Sequence, residues 1–151
     1  ASRGMSKLAA NRDFPKVQGD DEPFDPRFLL AYPNIIMWGA NYYASKLPDR
    51  GQWLIWDKRC GVVEIDQADC EMAWTTGTNG TVPRIFRHLW HGMLRDSERD
   101  QRRQHPTQKP IALMTWCLSF FPEAQAILDP FMGSGTTLRA AKDQQGSFVV
   151  G

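Results

Sequence analysis

A chain of 151 residues forms one domain with a real core and leaves little room for a second. Hydrophobic content of 42% and aromatic content of 11% exclude a disordered chain, and a formal charge of only +1 excludes a global positive field that would by itself demand nucleic acid. No stretch reads as a membrane span or a signal peptide, and three cysteines without a Cys-x-x-Cys pair point to reduced thiols in a cytoplasmic protein.

Residues 1–25 are polar and irregular, punctuated by Gly4, Pro15, Gly19 and Pro23, and read mostly as loop. Asp25-Pro26-Arg27-Phe28-Leu29-Leu30 predicts a short helix, with Asp25 as N-cap and Pro26 at its first position. The apolar run Asn34-Ile35-Ile36-Met37-Trp38-Gly39 predicts a strand buried on both faces, and residues 42–47 suit a helical turn or two. Gln52-Trp53-Leu54-Ile55-Trp56-Asp57 is the next strand. Alternation over 69–75 predicts a third, of antiparallel type.

Residues 77–104 change character: they are polar, Arg-rich and weakly periodic, and predict an insertion set on the sheet rather than within it. Arg84, Arg87, Arg95, Arg99, Arg102, Arg103 and the nearby Lys109 outnumber Asp96, Glu98 and Asp100, so the segment is locally basic. Such a run is more often a solvated face than a nucleic-acid site. Residues 110–121 are the clearest helix, with Pro110 in the first turn, Ile111, Met114, Leu118 and Phe121 on one face, and Pro122 beyond the end. A short strand at 126–128, a helix from Thr136 to Lys142, Gly146 as its C-cap and a strand at 147–150 complete the order. Both chain ends read as cut rather than finished.

The most specific feature is Asp129-Pro130-Phe131-Met132-Gly133-Ser134-Gly135-Thr136-Thr137. Pro130 stops the strand, and Gly133 and Gly135 allow a turn that side chains there are expected to crowd. A strand, a glycine-rich bend and a helix start create a pocket of backbone N–H groups at the carboxyl edge of a sheet, where α/β folds bind nucleotide-like ligands. An isolated Gly-x-Gly is weak evidence, but the full string is much more specific. Upstream, His105-Pro106-Thr107-Gln108-Lys109-Pro110 leads into the 110–121 helix.

The glycine string resembles the S-adenosylmethionine-binding motif of DNA amino-methyltransferases, which modify N6 of adenine or N4 of cytosine. The His-Pro-x-x-Lys-Pro element resembles the one that precedes that motif in a permuted branch of the family, in the same order and one helix away. The resemblance implies a doubly wound, Rossmann-like α/β core in permuted order over residues 1–151, with residues 77–104 as a target-recognition insertion. It implies S-adenosyl-L-methionine as cofactor and double-stranded DNA as partner, in a phage- or restriction-related setting. Asp129, Pro130, Phe131, Gly133, Gly135 and Thr136 are then expected to line the methionine side of the cofactor, with Thr107 and Lys109 contributing from the preceding element. For Lys109 a solvated lysine before a helix is the competing expectation, and His105 is a helix-entry residue rather than a base. Arg99, Arg102 and Arg103 are the expected DNA contacts.

The acceptor side departs from the family pattern. The family places Asp/Asn/Ser-Pro-Pro-Tyr/Phe at a strand end, where it holds the target amine and stacks on a flipped base. No Pro-Pro pair occurs here. In the permuted order the motif belongs upstream of Ala1, and Ser2-Arg3-Gly4 resembles the residues just after it in phage-type relatives. The ribose-binding acidic residue is likewise expected past Gly151. The catalytic residues are therefore unassigned, and these residues alone are expected to be inactive. The alternative from another class is a non-catalytic DNA-binding module that retains the fold, with RNA or a protein amide as a weaker substrate option.

Methylation at cytosine C5 requires a nucleophilic Cys, typically after Pro, and Cys60, Cys70 and Cys117 all lack that context. His88 and His91 with Cys60 and Cys70 match no familiar zinc spacing, so no metal is expected. Trp53, Trp56 and Trp74 read as core or pocket wall. Asn41, just past a strand end, is a minor site candidate, and Asp57-Lys58-Arg59 reads as a turn or a phosphate contact.

Overall fold

The computed structural model describes residues 22–62, 67–77, 82–91, 94–101, 107–144 and 148–150. Their strands are β1 (Ile36–Trp38), β2 (Gln52–Asp57), β3 (Cys70–Thr75), β4 (Arg84–Arg87), β5 (Trp90–His91), β6 (Leu94–Arg95), β7 (Ala126–Leu128) and β8 (Phe148–Val150). The helices are α1 (Ile111–Leu118) and α2 (Thr136–Asp143), with two 3₁₀ helices at Pro26–Ala31 and Ala40–Lys46.

The first four strands form one sheet in the order β1-β3-β2-β4. Strand β3 lies antiparallel between β1 and β2, with Met37 and Trp53 both opposite Trp74, whereas β4 runs parallel to β2. Strands β5 and β6 form a separate antiparallel ribbon, and β7 pairs in parallel with β8. The α/β class stands. The described strands, however, fall into three sheets, and the four-stranded one is mixed rather than wholly parallel. Residues 84–87 correct the expectation that the Arg-rich segment lies outside the sheet. Their exposed arginines hid the strand pattern, because β4 sits at an edge and buries little more than Phe86.

Alternation along the strands buries both faces of this sheet. On one face Trp56, Ile36, Trp38 and Phe86 pack against Leu113, Met114 and Cys117 of α1, and Ala140 of α2 closes the cluster from behind. On the other, Ile35, Met37 and Trp74 pack with Leu29, Leu30 and Ala40 of the two 3₁₀ helices and with Leu47 just past the second. Asp25 caps the first of these: its Oδ1 accepts the Arg27 N–H at 3.1 Å, and the Arg27 guanidinium holds the carboxyl down at about 2.

Helix α1 is shorter than expected, and Pro110 stands at its N-cap with ψ 148° rather than in its first turn. Its fully buried residues are Leu113, Met114 and Cys117; of the expected 111/114/118/121 stripe Met114 is among them, and Ile111 and Leu118 pack half-buried against the same core. Seven of the eight residues in Ile-Ala-Leu-Met-Thr-Trp-Cys-Leu are apolar, so periodicity alone leaves the face undetermined and packing decides it.

Gly51 leads into β2 with φ +111°, and a Cβ there would lie 2.7 Å from the Trp74 ring and 2.9 Å from the Thr75 carbonyl oxygen. One obstacle is backbone and the other a buried ring, so neither gives way cheaply. Gly51→Ala is expected to destabilise the protein by about 1–3 kcal/mol through overpacking alone. The urea midpoint measures this, and an unchanged midpoint would show that the β2–β3 approach relaxes freely.

Candidate cofactor-binding site

Strand β7 ends at Leu128, and the next residue, Asp129, accepts the Phe131 N–H on its Oδ1 at 3.1 Å and turns the chain out of the sheet. Gly133 (φ +51°) and Gly135 (φ +73°) are both left-handed, and the Gly135 N–H closes the bend on the Met132 carbonyl at 2.8 Å. The glycines are required by this backbone conformation rather than by crowding. An added Cβ at Gly133 would meet only the Phe131 carbonyl oxygen at 3.7 Å, and one at Gly135 would meet nothing within 4 Å. The loop is thus bare backbone facing open space.

Gly135 is the N-cap of α2, and no side chain caps the helix. Its leading N–H groups therefore have no intrahelical acceptor, and the positive end of the helix dipole faces outward. Ser134 Oγ and Thr136 Oγ1 lie 3.0 Å apart beside it. These residues border a groove of about 430 Å³, lined by Ser134, Gly135, Thr136 and Arg139 from the bend and α2 together with Glu98, Gln101, Gln108 and Ile111.

The expected site residues divide accordingly. Gly135 and Thr136 line the groove and Asp129 shapes the bend, while Pro130 and Gly133 are exposed in it. Phe131 is 65% exposed and meets Phe24 edge-on at 5.7 Å; Phe24 also contacts Tyr43 at 5.1 Å, which puts aromatic surface beside the loop. Thr107 is exposed just ahead of Gln108. Lys109 points toward the sheet: its Nζ is 3.1 Å from Glu71 Oε2 and 5.9 Å from the Trp38 ring centroid, and Lys58 takes the other Glu71 oxygen at 3.3 Å. Asn41 is exposed in the second 3₁₀ helix.

Arg99 is exposed, with Nε donating to the Arg95 carbonyl at 2.8 Å. Arg102, Arg103, His105 and Pro106 lie outside the described residues, as does Gly146. His88 stacks on Phe86 at 5.7 Å, and its Nε2 lies 2.9 Å from Ser97 Oγ. Among the described residues no group of three or more His, Cys, Asp or Glu side chains is placed to hold a metal ion. Burial pushes the Cys117 thiol up to about 12, which keeps it protonated and non-nucleophilic at neutral pH.

Glu98, Gln101 and Arg139 are groove residues that sequence reasoning missed. For Arg139 a signal existed, since it stands one turn beyond Gly135 and its N–H bonds the Gly135 carbonyl at 3.0 Å. Glu98 carries no local signal, because tertiary contacts alone bring it there.

No helix among the described residues is long and apolar enough to cross a membrane. The family model for DNA methylase, N6_N4_Mtase, matches residues 41–150. Type II methyltransferase M.HindIII of Haemophilus influenzae (strain ATCC 51907 / DSM 11121 / KW20 / Rd) is 43% identical over 51 residues, a match covering 33% of this chain and 16% of that protein. A bare glycine bend between a parallel strand and a helix, with a family match over most of the chain, leads to one conclusion: the chain belongs to the N6_N4 family of DNA methylases, whose methyl donor is S-adenosylmethionine.

Proposed function

We propose that this protein transfers a methyl group from S-adenosylmethionine to an exocyclic amino group of DNA, adenine N6 or cytosine N4, in a restriction-modification or phage setting. The observation that carries the reading is the open glycine bend at the carboxyl end of β7, where added Cβ atoms would occupy space the chain leaves empty. The lining chemistry fits the cofactor: hydroxyls of Ser134 and Thr136, amides of Gln101 and Gln108, one carboxylate and one guanidinium. Bound there, S-adenosylmethionine supplies an electrophilic sulfonium methyl.

The chain's own contribution is positional. Asp129 fixes the bend by accepting the Phe131 N–H, Gly133 and Gly135 present backbone at contact distance, and the start of α2 offers unpaired N–H donors. Phe131 and Phe24 give an apolar flank beside the bend. Holding donor and acceptor in line in a dry site is worth several orders of magnitude in rate with no covalent help from the protein. Thr107 is proposed to contact the cofactor from the entry of α1. Lys109, engaged with Glu71, is proposed to act by setting that entry rather than by direct contact. Calorimetric titration tests the reading: saturable binding of S-adenosylmethionine is expected, and its absence would overturn it.

The segment 77–104 is proposed as the DNA-reading part, with Arg99, Arg102 and Arg103 on phosphates. Replacing all three by Ala is expected to weaken DNA binding and to flatten its dependence on salt by up to about 0.9 log unit per lost phosphate contact. Fluorescence anisotropy over a salt series reads the slope. An unchanged slope would make the segment a solvated surface.

A further inference from the structure

Glu98 adopts φ +50°, a left-handed backbone that a residue with a side chain takes up only when its surroundings enforce it. Three hydrogen bonds supply that enforcement. Its Oε1 accepts the Ile111 N–H at 3.3 Å at the start of α1, and its Oε2 accepts the Ser97 hydroxyl at 2.7 Å. The Gln101 N–H closes the turn on the Glu98 carbonyl at 3.2 Å. Glu98 lines the groove along with Gly135, and each oxygen of its held carboxylate retains further capacity to accept. Arg139, exposed on the first turn of α2, lines the same groove. Glu98 is the one carboxylate and Arg139 the one cation among the described lining residues, with amide and hydroxyl groups between them.

A polar groove lined by one anion held in place and one cation is complementary to a zwitterion. We propose, building on the cofactor assignment above, that this groove takes the amino-acid end of S-adenosylmethionine, with Glu98 receiving the α-ammonium and Arg139 the α-carboxylate. Gln101 and Gln108 supply amide oxygens and N–H groups alongside, and Ser134 and Thr136 supply hydroxyls on the carboxylate side. Glu98 thereby joins the segment that carries the exposed arginines to the cofactor groove.

Calorimetry with three ligands separates this role from a structural one. S-adenosylmethionine carries both charges of the zwitterion, its decarboxylated form keeps only the ammonium, and 5′-methylthioadenosine lacks the amino-acid end. Glu98→Gln preserves size and an oxygen that accepts from Ile111, so the entry of α1 is retained. It is expected to weaken S-adenosylmethionine and its decarboxylated form by about tenfold or more, as loss of a charge-assisted hydrogen bond does, and to leave 5′-methylthioadenosine unchanged. Arg139→Gln is expected to weaken S-adenosylmethionine alone. Equal weakening of all three ligands by Glu98→Gln, or no effect on any, would overturn the proposal. Binding of 5′-methylthioadenosine by the unchanged protein keeps the cofactor assignment standing in either case. Failure of the unchanged protein to bind any of the three overturns both.

Discussion

Trp56→Ala is expected to cost about 3–5 kcal/mol, a large share of the roughly 5–15 kcal/mol that holds a domain of this size together. Trp56 is 1% exposed at the centre of the main core, where β2 meets α1, and its ring meets Trp38 edge-on at 6.5 Å. Its Nε1 also donates to the His88 carbonyl at 3.0 Å, which ties the link between β4 and β5 to the sheet. Truncation removes apolar contact on both sides and leaves a carbonyl without its donor. Trp56→Phe keeps much of the area and loses only the bond, so it is expected to cost far less. Urea denaturation of the two variants gives the comparison. Equal midpoints for Ala and Phe would mean that the hydrogen bond, not the ring, holds these elements together.

The second large effect concerns the cofactor. Gly133→Val is expected to reduce affinity for S-adenosylmethionine by about a hundredfold or more while leaving the protein folded, since the added side chain obstructs the ligand rather than the chain. A β-branched residue at φ +51° is strained by about 1–2 kcal/mol wherever the folded chain holds this backbone, with or without ligand, which lowers stability rather than affinity. In addition, its methyl groups occupy the space that the bare bend leaves for a ligand. The added Cβ meets no part of the chain closer than 3.7 Å, so the penalty to the free protein stays near the strain alone. A fall in melting temperature of only a few degrees is expected beside the lost affinity. Titration calorimetry and a thermal melt on the same sample provide both numbers. Retained affinity in the Val variant would remove the bend from the binding site.

By itself the sequence determined the features that rest on local physics. Residues 52–57 read as a strand at the observed bounds of β2, and alternation marked β3 as an antiparallel strand, because a two-residue period follows directly from strand geometry. Asp25 before Pro26 marked a helix start that the observed cap reproduces. The order strand, glycine bend, helix over 126–143 was legible because left-handed backbone at Gly133 and Gly135 is a property of those residues alone. The tertiary structure decided what depends on partners distant in sequence. Four exposed or half-buried residues at 84–87 became a strand only because the edge of β2 was available to pair with them. The buried face of α1 was chosen by Trp56 on one side and Ala140 on the other, since a nearly all-apolar helix carries no preference of its own. Lys109 was drawn to Glu71 on β3, and Glu98 was held at the groove it lines by Ile111 and Ser97. Charges find their partners through space, and no spacing along the chain encodes a pairing that depends on how sheet and helix are packed.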